Sequence, residues 1–261
     1  VCLLVILLVA RGGTPVWGQD SSPPVITTDS LFVNDAKRAV DSLYNLRFEA
    51  AASLYSDWKR KYPENPLWKF WDALEIWWRI LPDLQNQALD DSLFQQLKKA
   101  SYYSERILSR NPHHRDALLI QALSRGLIAR HNANRDNWLT SINQARHAVS
   151  ALRTLNEYHS DIPDLLLGKG MLDYYAAYLP EAYPVVRTVS WVLPDGDKQR
   201  GLDLMKQAAG ESIYLQPEAR YFLGKIYMNH EDSPATALPY FERLYTEYDR
   251  NPYYARQLIR S

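Results

Sequence analysis

Residues 217–252 read PEARYFLGKIYMNHEDSPATALPYFERLYTEYDRNP, and this stretch decides the fold. Two runs of helical periodicity flank a short polar break. Leu223, Gly224 and Tyr227 lie in the first run, Ala237 and Phe241 in the second, and Asn251-Pro252 closes the unit. This is the pattern of a repeat of two helices joined by a turn, whose period is about 34 residues. Here 252 − 217 gives 35, one residue more. Such repeats offer surfaces for contact and are rarely catalytic devices.

The pattern recurs upstream. Phe48, Ala51, Tyr55 and Trp58, followed by YPENP, repeat the second-helix half of the unit. Asn65-Pro66 and Asn251-Pro252 then occupy equivalent junctions, where proline is tolerated as a first helical residue. Leu167-Gly168-Lys169 echoes Leu223-Gly224-Lys225, although 224 − 168 gives 56, so the middle units carry long helices or inserts.

On these residues the 217–252 unit resembles a tetratricopeptide repeat. The resemblance implies that Gly224 and Ala237 are the small contacts between paired helices, with Leu223, Tyr227 and Phe241 as fillers between neighbours. It also implies an inner, concave surface lined by the first helix of each pair. Partner contacts would come from Tyr221, Lys225 and Asn229 in the last unit and from Lys169 and Asp173 in the Gly168 unit. Members that bind chaperone tails clamp a carboxylate with lysine and asparagine; Lys169 and Lys225 recur at such places, the plain alternative being a solvated inner face. Residues 163–206, through Gly168, Pro180, LPDGD and Gly201-Leu202, are faintly similar to eukaryotic tetratricopeptide proteins of the inclusion-body-clearance type.

Composition narrows the class. A hydrophobic content of 46% is ample for a core. Thirty basic against thirty acidic residues leave no net charge, so nothing points to nucleic acid. Residues 1–10, VCLLVILLVA, are apolar but too short to span a bilayer comfortably; with RGGTP and VWG after them they read as a signal peptide over 1–18, its beginning missing. The only cysteine, Cys2, would leave with it, so the mature chain is expected to hold no thiol. Residues 19–32 read as a flexible linker and 33–261 as the repeat domain, with helical periodicity starting near Asn34.

Helices are predicted over 36–46, 48–61, 67–80, 92–109, 115–131, 137–157, 163–178 and 198–209, then in the unit described above. Pro180 and Pro184 are expected to stop the 163–178 helix, 185–192 is a short apolar piece, and Asp197 is an N-cap after the Pro194-Asp195-Gly196 turn. The 67–80 helix is apolar nearly all round. Its tryptophans are therefore either buried on several sides or, at Trp71, Trp77 or Trp78, face an open groove.

Chemistry-bearing patterns are sparse. His113-His114 diverge on a helix and read as cap and solvent residues, Asp195-Gly196-Asp197 lacks the ligand series of a calcium loop, and Asp90-Asp91 suit a helix N-terminus. No cofactor or metal is implied. The expectation is an all-α α-solenoid of about five antiparallel helical hairpins wound as a right-handed superhelix. Its expected role is that of a non-enzymatic periplasmic or secreted scaffold holding a protein segment, with Trp71, Trp78, Lys169, Asp173, Tyr221, Lys225 and Asn229 as partner-binding residues. The alternative is a glycan- or solute-binding protein that uses inner-wall tryptophans as stacking platforms.

Overall fold

The computed structural model describes residues 22–183 and 195–261, which form eleven α-helices and no strand. Ten pair as successive hairpins: α1 (Ser30–Tyr44) with α2 (Phe48–Lys61), α3 (Leu67–Ile80) with α4 (Asp90–Leu108), and α5 (Arg115–Asn134) with α6 (Trp138–Tyr158). The fourth pair is α7 (Leu165–Ala182) with α8 (Lys198–Glu211), and the fifth α9 (Gln216–Asn229) with α10 (Pro234–Glu247). The last helix, α11 (Pro252–Arg260), has no partner of its own. Each helix packs mainly on its neighbours in sequence, which makes this an all-α helical-repeat solenoid. The expected signal peptide, Cys2 and the 185–192 piece lie outside the described residues.

Four helix starts carry a side-chain cap. The Asp29 carboxylate accepts hydrogen bonds from the Leu31 and Phe32 amides, so α1 begins four residues before the periodicity does. Asp197 caps α8 through the Arg200 amide, and Asn251 caps α11 through the Tyr253 amide with Pro252 at the first position. His114 caps α5, its Nδ1 accepting from the Ala117 amide. Pro180 does not end α7, which runs to Ala182. Its missing N–H costs the ladder one bond, to the carbonyl four residues earlier, and the helix continues past it.

Residues 22–29 are not a flexible linker. Ile26 is buried in the core, and the buried Asp116 carboxylate at the start of α5 accepts from the Ile26 amide at 2.8 Å, from Thr27 and from Asn65 Nδ2. His114 Nε2 lies 2.6 Å from the Pro23 carbonyl oxygen. The segment is a strap across the first turn of the fifth helix. A short polar, proline-containing sequence carried no sign of this, because its partner lies 90 residues away.

Close approach of paired helices depends on glycine. A Cβ on Gly224 would fall 2.6 Å from the Phe241 ring, so the expected contact between the halves of the last unit is present. In the fourth hairpin, however, that role belongs to Gly170, whose added Cβ would meet the Gly201 carbonyl oxygen at 2.8 Å and the Met205 amide nitrogen at 3.0 Å. Gly168 instead faces Leu152 of α6. The echo of Gly168 with Gly224 was therefore two residues out of register, and Lys169 is not the structural counterpart of Lys225.

The solenoid also closes on itself. One continuous core runs from Ile26 through Trp78 and Ile120 to Phe241 and Tyr254. The Tyr44 ring lies 4.7 Å from Trp78 and 5.4 Å from Tyr248, and Tyr254 sits 5.7 Å from Trp78. Asn251 Nδ2 donates to the Tyr44 carbonyl at 2.8 Å, and Arg256 donates to that of Pro82 at 2.6 Å. This explains the apolar girth of α3: α11 covers the side that its hairpin partner leaves open.

Gly170→Ala is expected to lower the unfolding free energy by about 1–3 kcal/mol, because the obstacle is backbone. Gly126→Ala, in α5 with nothing within 4 Å of the new Cβ, should raise it by about 0.5–1 kcal/mol. Urea denaturation of the two variants checks the pair.

Candidate partner-binding site

Where the first and last hairpins meet, the inner wall is built around Arg130 of α5. Its guanidinium lies 5.1 Å from the Trp77 ring, 5.2 Å from Tyr221 and 5.0 Å from Phe222. Nη1 donates to Glu218 Oε2 at 3.0 Å, and Glu218 Oε1 accepts from the Tyr44 hydroxyl at 3.2 Å. The Tyr253 hydroxyl donates to that of Tyr221 at 2.7 Å. Burial, then the Glu218 carboxylate, push the Tyr44 phenol well above its ordinary pKa, so it stays a donor. The Arg130 side chain is 23% exposed, but its charge is balanced by Glu218 and its faces are covered. The centre is a structural clasp.

Glu218→Gln should therefore leave Arg130 uncompensated and destabilise the fold by about 1–3 kcal/mol. Arg130→Met combined with Glu218→Gln should recover part of that loss. Thermal melts of the two variants measure both.

The residues expected to contact a partner separate sharply. Trp71 and Trp78 are 5% and 2% exposed, and Trp77 is buried as well, so these indoles offer no face to a peptide or a sugar. The stacking platform required by the glycan alternative is thus closed, because the strapped N-terminal hairpins and α11 cover it. Tyr221 is committed to Arg130 and Tyr253. Asp173 faces α8, where both its oxygens accept from Arg200, at 2.6 and 2.9 Å. Lys169 lies on α7 and makes no hydrogen bond or ion pair with the last unit among the described residues.

Lys225 and Asn229 do come together. With Met228 and Phe241, and with Gln257 and Arg260 of α11, they line a cleft of about 270 Å3 between the ninth and eleventh helices. No carboxylate is among these lining residues, and Lys225 makes no ion pair among the described residues. Burial, and then Arg260, lower the Lys225 pKa. Sequence reasoning missed Gln257 and Arg260, although Tyr253, Gln257 and Arg260 share one helical face at spacings of four and three.

A larger cleft, of about 350 Å3, lies between α1, residues 213–217 and the end of α10. Its charges are mostly spent internally. Arg220 pairs with Glu247, which also accepts from Arg243, and the Tyr248 hydroxyl points to Asp41. Burial raises the Asp41 pKa. The smaller, cationic cleft is the better candidate.

Comparison with known proteins adds no relative: no family model, curated protein or solved structure matches the chain. No described helix is long and apolar enough to cross a membrane.

Proposed function

We propose that this chain is a non-enzymatic adaptor related to tetratricopeptide-repeat proteins, exported through its N-terminal leader. In this reading it holds a protein segment of the cell envelope. The observation that carries it is the cleft of Lys225, Asn229, Gln257 and Arg260, where two cations converge without a lining carboxylate. Such a cleft suits a segment bearing a side-chain or terminal carboxylate. The bound anion would offset the burial that depresses the Lys225 charge. Closure of the solenoid confines the proposed surface to this edge, away from Trp71 and Trp78.

Lys225→Glu with Arg260→Glu should weaken binding of acidic peptides by about tenfold or more while leaving helicity intact. Lys169→Glu should leave affinity unchanged. Fluorescence anisotropy with acidic and neutral peptides of one length reads both outcomes, and equal binding of the two peptides would defeat the proposal.

The Lys225 pKa also has a sign that can be tested. It is lower in the fold than in the unfolded chain, so between the two values the unfolded chain binds more protons. The lysine is therefore most unfavourable to stability below its folded pKa, and the penalty fades as pH rises toward the ordinary lysine range. Lys225→Met should leave Tm at pH 7 unchanged or raise it, by scanning calorimetry, while still reducing peptide affinity.

A further inference from the structure

The start of α6 carries an apolar surface that neither the core nor the cleft uses. Trp138, Leu139 and Ile142 are 58%, 85% and 60% exposed. Leu139, Ile142, Arg146 and Arg153 follow one another at spacings of three, four and seven, so they form one stripe along the outer face of the helix. An exposed apolar patch of this kind marks an interaction surface.

The charges around it decide what it fits. Arg135 donates to both oxygens of Asp90, which brings the start of α4 to the start of α6 and sets the exposed carboxylates of Asp91 and Asp136 at one end. Further along α6 the next charged or titratable residues are Arg146, His147 and Arg153, all exposed. Asp91, Asp136, Arg146 and Arg153 make no ion pair among the described residues. The two free carboxylates would repel an anionic surface. Protein interfaces are enriched in tryptophan and arginine and depleted in lysine, and α6 contains no lysine.

A stripe with an acidic beginning and a basic continuation is complementary to itself turned end for end. Consider a two-fold axis that passes between Leu139 and Ile142. It sets Leu139 of each copy against the partner's Ile142. At 1.5 Å per residue, Asp136 lies about 7 Å before that axis and Arg146 about 8 Å beyond it. Each Asp136 then comes opposite the partner's Arg146, and the pair occurs twice. We propose that α6 pairs antiparallel with the α6 of a second copy of this chain, Trp138, Leu139 and Ile142 forming the apolar centre and Asp136 with Arg146 fixing the register. Such a contact is isologous and closes at two copies. Three apolar side chains per copy are few beside the about 800 Å2 that a standard interface takes from each partner, which places this pairing in the weak, reversible class. It is independent of the cationic cleft.

Sedimentation velocity of the full chain over a wide range of concentration tests the pairing. The proposal expects a reversible monomer–dimer equilibrium that Leu139→Glu/Ile142→Glu abolishes. Arg146→Asp should weaken the dimer by about tenfold or more, because two-fold symmetry loses the pair twice and brings like charges together. Asp136→Arg should do the same, and Asp136→Arg/Arg146→Asp should bring the affinity back toward that of the unaltered chain. This exchange keeps the test decisive even where the double glutamate variant fails to fold. Leu139, Ile142 and Arg146 are exposed, so changes there should keep the circular dichroism spectrum. A chain that stays monomeric throughout overturns the proposal. So does association that none of these variants alters, which the apolar residues 1–10 alone would give. A combined charge exchange that binds no better than either single change overturns it as well.

Discussion

The contact of Tyr44 and Trp78 with Tyr248 and Tyr254 is the constraint on which the rest of the structure depends. A helical repeat array normally leaves an apolar face bare at each end and must cap it with polar residues. This chain caps the two ends with each other. The first and third helices present their aromatic face to the tenth and eleventh, and the Arg130–Glu218 pair sits beside that junction with three rings against the guanidinium.

That arrangement also determines which surfaces remain for recognition. An open superhelix offers its whole inner wall, and here the wall of the first three hairpins is occupied by the chain itself. The surface proposed for a partner is an edge where α9 and α11 meet. There Lys225 is buried enough to feel its neighbours and exposed enough to be reached. The larger cleft nearby illustrates the opposite outcome, in which side chains of suitable type satisfy one another and leave nothing for a partner.

Helical periodicity and terminal punctuation made the architecture legible in the sequence. Asn251-Pro252, Asp197 and the Gly224–Phe241 contact are local, and each could be read from a few neighbouring residues. Three hairpin turns carry left-handed residues that are not glycine, Leu46, Asp136 and Asp232, and were placed by the breaks in periodicity around them. The register of the fourth hairpin was misread because two glycines lie two residues apart and only packing shows that Gly170 meets α8. The strap at 22–29 was illegible, and the choice between burial and an open groove for Trp71 and Trp78, both of which the apolar girth of α3 allowed, was decided by residues remote in the chain. The site was half legible: Lys225 and Asn229 followed from the resemblance, whereas Gln257 and Arg260 required knowing where the last helix returns.

The return has a consequence for synthesis. Asn251 and the Tyr44 carbonyl are hydrogen-bonded across 207 positions of sequence, while most helix–helix packing joins neighbours in the chain. At roughly 5–20 residues per second, about 10–40 s pass between the emergence of the first hairpin and of the helix that covers it. Throughout that interval the faces of Tyr44 and Trp78 stand open to water and to other nascent chains. The seam that buries these rings in the folded chain is therefore also its longest-lived liability while it is being made.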